Sequence, residues 1–207
     1  MAEPRFHRLR FRGSHTSSLQ EQPPEASEAL QYIRDTMQHA RAFTAVSGLG
    51  LIIMGLSALA AAWIASRQVT FTRWLAVWLV EALLAMAVAA ASIYRKATVT
   101  ATPLFSGPAR KVAMGLLPAL AAGTLLTHAL AHKAPELIVP TWLLVYGVGV
   151  IAGGAWSVAV LPIMGAAFMA MGTMCLVHPT MPDTWMAASF GGLHLIFGGI
   201  VVKKYGG

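Results

Sequence analysis

Charge is scarce in this sequence. Only 11% of its 207 residues are Asp, Glu, Lys or Arg, where a soluble domain carries about 25%. A water-facing surface over most of the chain is thereby excluded. Cysteine is nearly absent: Cys175 stands alone, so no disulfide can form within the chain and cysteine usage is silent on redox compartment. The C-x-x-C and H-E-x-x-H metal patterns are missing, and no cofactor is implied. No single apolar run holds two carboxylates for general acid–base work. The loops are too short for a soluble catalytic domain, and no nucleotide-binding domain is present to drive a primary pump. Repeat periods of soluble solenoids are missing too.

Long apolar runs are what the sequence has instead. Hydrophobic residues make up 57% of it, and mean hydropathy is +0.63. A helix needs about 20 apolar residues to cross a hydrocarbon core roughly 30 Å thick. Six stretches qualify: Ala42–Ser66, Trp74–Tyr94, Val112–Ala131, Leu137–Ala155, Val158–Val177 and Thr184–Val202. The fold expected is all-α, a polytopic transmembrane bundle of six helices. The fourth and fifth runs are barely separated. Gly153-Gly154 and Pro162 predict a tight turn between them, because glycine permits turn geometry that a continuing helix does not use.

Cations set the expected orientation. Arg5, Arg8, Arg10, Arg12, Arg34 and Arg41, then Arg95, Lys96, Arg110 and Lys111, then Lys203 and Lys204 all fall on one side of a six-span topology. Only Arg67, Arg73 and Lys133 fall on the other. Cytoplasmic loops carry the excess of Lys and Arg, so both termini are placed in the cytoplasm. Trp74, Trp142 and Trp185 each open an inward-running span at the outer interface, where indole rings prefer to sit.

The chain reads as three parts. Residues 1–26 are a basic, polar tail in which Arg5, Arg8, Arg10 and Arg12 alternate with Phe6, Leu9 and Phe11. No apolar core follows these arginines, so the tail is not a signal peptide. It sets topology, or it binds anionic lipid head groups; nucleic acid is not an expected partner, since the charge of +7 is spread over loops. Residues 27–41 predict a juxtamembrane helix with Leu30, Ile33, Met37 and Ala40 on one face, lying at the interface. Residues 42–207 form the transmembrane domain, with the lipid bilayer as its partner.

Glycine recurs inside the runs at helix-contact spacing. Gly149 and Gly153 form G-x-x-x-G; Gly165 and Gly172 are seven apart, as are Gly191-Gly192 and Gly198-Gly199. Small residues let backbones approach in lipid, either within the bundle or between copies in a homo-oligomer. The methionines of the fifth run, among them Met164, Met169 and Met171, read as adaptable apolar filler. Pro118 and Pro162 each free a backbone carbonyl and can kink a span.

Few polar groups lie at membrane depth. Glu81 is the only acidic residue within a predicted run, about 10 Å below the outer interface at 1.5 Å per residue. His194 lies about 13 Å down on a run of the same direction. Intramembrane ionisable groups are functional candidates by default, and the matching depth suggests that the two meet. Tyr146, His128, Thr124, Ser189 and Cys175 complete the set. His128 and His132, four apart, share a helix face but lack a third metal ligand.

Through Phe43-Thr44-Ala45-Val46, Ser106-Gly107-Pro108-Ala109-Arg110 and Gly191-Gly192-Leu193-His194, the chain resembles a group of small multi-pass bacterial inner-membrane proteins with no assigned activity. The likeness covers everything after about Ala29 and implies location and helix count only. A looser likeness, to small six-helix acid-stress membrane proteins, rests on glycine-rich hairpins. The function expected is that of a non-enzymatic accessory, stress or regulatory protein of the inner membrane. The alternative is a small transporter or channel using Glu81 and His194, and an enzyme acting on a lipid or quinone is a third reading. A sealed bundle would favour the first and an open cavity the second.

Overall fold

The computed structural model describes residues 28–33, 47–99, 107–155 and 157–205. Two units are distinguished, Met1–Ala40 and Arg41–Gly207. In the first, residues 28–33 are helical, with Leu30 and Ile33 exposed. The remainder of the basic tail and of the juxtamembrane helix, including Arg5, Arg8, Arg10 and Arg12, lies outside the described residues.

The second unit consists of helices: α1 (Gly48–Ala65), α2 (Phe71–Val99), α3 (Gly107–Leu130), α4 (Ile138–Gly154), α5 (Val160–Val177) and α6 (Pro182–Tyr205). A short 3-10 turn, Pro135–Leu137, leads into α4. The middle of α6, Ala187–Leu193, is π-helical. No strand occurs among the described residues. All six helices are long and apolar enough to cross a membrane. The chain is an integral membrane protein whose helices contact lipid.

Local chemistry explains the helix starts. Ser47 Oγ accepts from the Gly50 N–H at 3.3 Å and caps α1. Pro140 and Pro162 are the third residues of α4 and α5. A first-turn N–H has no partner within the helix, so proline costs nothing there. Pro162 therefore begins a helix rather than kinking one, while Pro118 does sit inside α3. Met181 precedes Pro182 with φ 58°, a left-handed conformation uncommon outside glycine, at the sharp entry to α6.

Glycines bring the backbones together. A Cβ on Gly147 would lie 2.7 Å from the Gly165 carbonyl oxygen, so α4 and α5 touch main chain to main chain. Gly149 meets Ala119, and Gly153 meets the Val112 backbone, both on α3. On the other side of the molecule Gly198 packs on Gly48 and Ile52, and Gly191 packs on Leu59. The G-x-x-x-G pair, Gly165 with Gly172, and Gly191 with Gly198 thus pack within one chain, whereas Gly199 faces nothing within 4 Å among the described residues.

The result is two trios, α1 with α2 and α6, and α3 with α4 and α5, joined through α5 and α6. Phe168, Leu143, Met164 and Val201 are fully buried in the core between them. Gly48 at the start of α1 lies against Val202 near the end of α6, so the two ends of the bundle's chain share one face. α2 and α3 are peripheral: 11% of each apolar window is buried, against 33–44% in the other four.

Candidate functional site

α2 packs on α1 and α3 packs on α4, but α2 and α3 barely touch. Between them lies a cavity of about 420 Å³ that reaches the inner faces of α4, α5 and α6. Along α2 it extends from Trp74 to Ile93, about 28 Å at helical rise, close to the depth of a hydrocarbon core. Leu79 and Met86 on α2 and Leu117 on α3 line it and are also exposed. The cleft therefore has a mouth on the lipid-facing side of the bundle.

Its walls are apolar apart from a few groups, and Glu81 is the most consequential. Glu81 is 8% exposed and lines the cleft. Its Oε1 lies 2.8 Å from Ser57 Oγ on α1, and Ser57 Oγ lies 3.0 Å from the Met54 carbonyl oxygen. Serine has one hydroxyl proton and the carbonyl can only accept. The Ser57 hydroxyl donates to Glu81 Oε1 and to the Met54 carbonyl, a shared, three-centre arrangement that ties the carboxyl to α1. Glu81 Oε2 has no hydrogen-bond partner among the described residues.

His194 is 3% exposed and also reaches the cleft. Its Nδ1 lies 2.8 Å from the Phe190 carbonyl oxygen and its Nε2 lies 2.8 Å from Tyr146 Oη. The carbonyl fixes the roles: Nδ1–H donates to Phe190, and in the neutral ring Nε2 accepts from the Tyr146 hydroxyl. Phe190 belongs to the π-helical turn that ends at Leu193. Phe168 and Phe190 complete an aromatic box, with Tyr146 4.8 Å and 5.1 Å from their ring centroids.

Glu81 and His194 therefore face one cleft but take different partners, and no direct hydrogen bond joins them among the described residues. Of the pairing expected from matching depth, within hydrogen-bond or one-water reach, no direct bond is present among the described residues: Glu81 is engaged by Ser57, and His194 by Tyr146 and Phe190. Tyr146 is drawn in as the partner of His194. His128, His132 and Thr124 are exposed on or beyond α3 and do not join the site. Cys175 is buried among core residues. Gly149 and Gly153 line the cleft, and Gly191 and Gly198 lie outside it, where they let α6 close on α1. Among the described residues no group of three or more His, Cys, Asp or Glu could hold a metal ion.

The interface tryptophans prove to be tied to the protein. Trp74 Nε1 donates to Asp183 Oδ1 at 2.7 Å, Trp142 Nε1 to Thr127 Oγ1 at 2.8 Å, and Trp185 Nε1 to the His178 carbonyl at 3.1 Å. Trp78 differs. It is 7% exposed and lines the cleft, yet its Nε1 has no partner among the described residues. Ser189 Oγ, in the π-helical turn, is likewise buried and without a partner among them. Sequence reasoning passed over Trp78 and Ser57. The available signals were the spacing of Trp78 and Glu81, three apart on one helix face, and a lone hydroxyl in the middle of the first apolar run.

Comparison with protein-family models, with curated proteins and with solved structures gave no match to this chain.

Proposed function

We propose that this integral membrane protein is a non-enzymatic accessory or regulatory protein of the bacterial inner membrane that holds a lipophilic molecule in the cleft between α2 and α3. The observation that carries the reading is the cleft itself: apolar walls over membrane depth, a mouth among lipid-facing side chains, and one buried carboxyl. Pockets of this make-up, apolar with a few convergent polar groups, are the default binding sites of proteins. The location rests on the resemblance to small multi-pass inner-membrane proteins. The cation asymmetry supports cytoplasmic ends for α1 and α6.

The test is the lipid content of the purified protein. Full-length protein extracted from membranes in mild detergent should carry a lipophilic class enriched over the bulk membrane extract by mass spectrometry. Ala85→Trp, which fills the cleft from α2 where Ala85 lines it, should lose that enrichment while remaining folded. The same lipid profile for both proteins would overturn the reading.

A second reading is favoured by one specific observation, the common cleft shared by Glu81 and His194. In that reading the protein is a small transporter and Glu81 carries the proton. Reconstituted protein would then show pH-driven flux, and Glu81→Gln would abolish it while leaving the fold intact. Lipid enrichment that survives Glu81→Gln, with no flux in either protein, favours the accessory reading.

A further inference from the structure

The hydrogen-bonding capacity left open in the cleft is specific enough to name a ligand group. Trp78 and Glu81 are three residues apart on α2, which puts them on one face with side chains leaning along the same turn. Both line the cleft and both are more than nine-tenths buried. Trp74 sits 6.4 Å from the Trp78 ring and is itself pinned to Asp183. The Trp78 N–H is a donor with no acceptor among the described residues, whereas the neighbouring Trp74 and Trp142 donors are satisfied.

Glu81 presents the complement. Its Oε1 accepts from the Ser57 hydroxyl. Oε2 is left as a further acceptor. A donor and an acceptor three residues apart on α2 therefore line a cleft whose walls are mostly apolar. A ketone or ester oxygen answers the indole alone. A charged head group would be stranded among apolar walls. A hydroxyl answers both, accepting from Trp78 and donating to Glu81.

We infer that Trp78 and Glu81 recognise the free hydroxyl of a neutral lipid whose chains occupy the apolar remainder of the cleft. The inference rests on the lipid-holding reading of that cleft. Trp78 Nε1 is covered by its neighbours, so engagement includes a small turn of the indole ring towards the ligand.

The experiment compares dioleoylglycerol with its deoxy analogue, the same diester carrying hydrogen in place of the free hydroxyl, each titrated onto full-length protein in nanodiscs. Wild type should bind the free alcohol about tenfold more tightly, the ratio two ordinary hydrogen bonds supply. Trp78→Phe keeps the ring, removes one of the two bonds and should shrink the preference to about threefold. Glu81→Gln should retain the preference, because the amide donates to Ser57 through nitrogen and leaves its oxygen as acceptor. Glu81→Leu should shrink it as Trp78→Phe does. Each folded variant should still bind the deoxy analogue. Should Glu81→Leu fail to fold, Trp78→Phe carries the test alone. Equal wild-type binding of the two lipids overturns the hydroxyl inference and leaves the cleft reading standing. Binding of neither overturns both. A full preference persisting in Trp78→Phe overturns the assignment of the site.

Discussion

Tyr146 and His194 are 48 residues apart in sequence and share one buried hydrogen bond. Removing the hydroxyl leaves Nε2 of a buried imidazole without its donor. Interhelical hydrogen bonds in membranes are worth about 0.6 kcal/mol on average and at most about 1.7. Tyr146→Phe and His194→Phe should therefore be non-additive by about that amount in a double-mutant cycle on the full chain, measured by steric trapping in bicelles. Glu81→Gln and His194→Gln share no hydrogen-bond partner, and their effects should add to within about 0.5 kcal/mol. Strong coupling of the second pair, with none in the first, would show that the two cleft residues act as a unit. The candidates Glu81 and His194 were legible in the sequence because ionisable groups are rare in apolar runs. Their partners were not. Ser57 and Tyr146 sit on other helices, and depth alone does not say how a helix is rotated about its axis.

Among the helices, the glycines carry the most testable content. A Cβ on Gly198 would lie 2.9 Å from Ile52 and 3.0 Å from the Gly48 carbonyl oxygen, so α1 and α6 would have to separate. Overpacking of this kind costs about 1–3 kcal/mol. Gly199, one residue on, has open space. Gly198→Ala should lower the thermal unfolding midpoint and Gly199→Ala should leave it unchanged or raise it; equal effects would mean that the α1–α6 approach is looser than drawn. All six helices were legible from run length, with ends a few residues off. The departures have physical causes. α2 runs to Val99, past the predicted end at Tyr94, because a helix can continue through the polar interface, where Arg95 and Lys96 suit its backbone no less than apolar residues do. The π-helical turn at Ala187–Leu193 leaves no compositional mark. Gly48 and Gly55 on α1, seven apart like their partners Gly198 and Gly191, were the missed half of a pattern visible on α6.

For the molecule as a whole, the expected topology and the cleft are separable. Reporter fusions at Gly207 and in the loop near Lys133 should report opposite sides, with Gly207 cytoplasmic; a periplasmic Gly207 would contradict the orientation. The bundle's class was written in composition, since 57% hydrophobic residues cannot be hidden in a chain this short. The cleft was not, because it arises from two helices failing to meet. α2 and α3 carry the same apolar side chains whether they face lipid, a neighbour or a cavity between them. The most direct measurement is therefore accessibility inside the cleft. A nitroxide placed by Ala85→Cys, in a Cys175→Ser background reconstituted in bilayers, reports collisions with oxygen, which partitions into lipid, and with a water-soluble nickel chelate. A lipid-facing cleft requires high oxygen and low nickel accessibility at residue 85. High nickel accessibility would indicate an aqueous path through the bundle, and low accessibility to both would mean that α2 and α3 close on each other; either result would contradict a cleft open to the membrane.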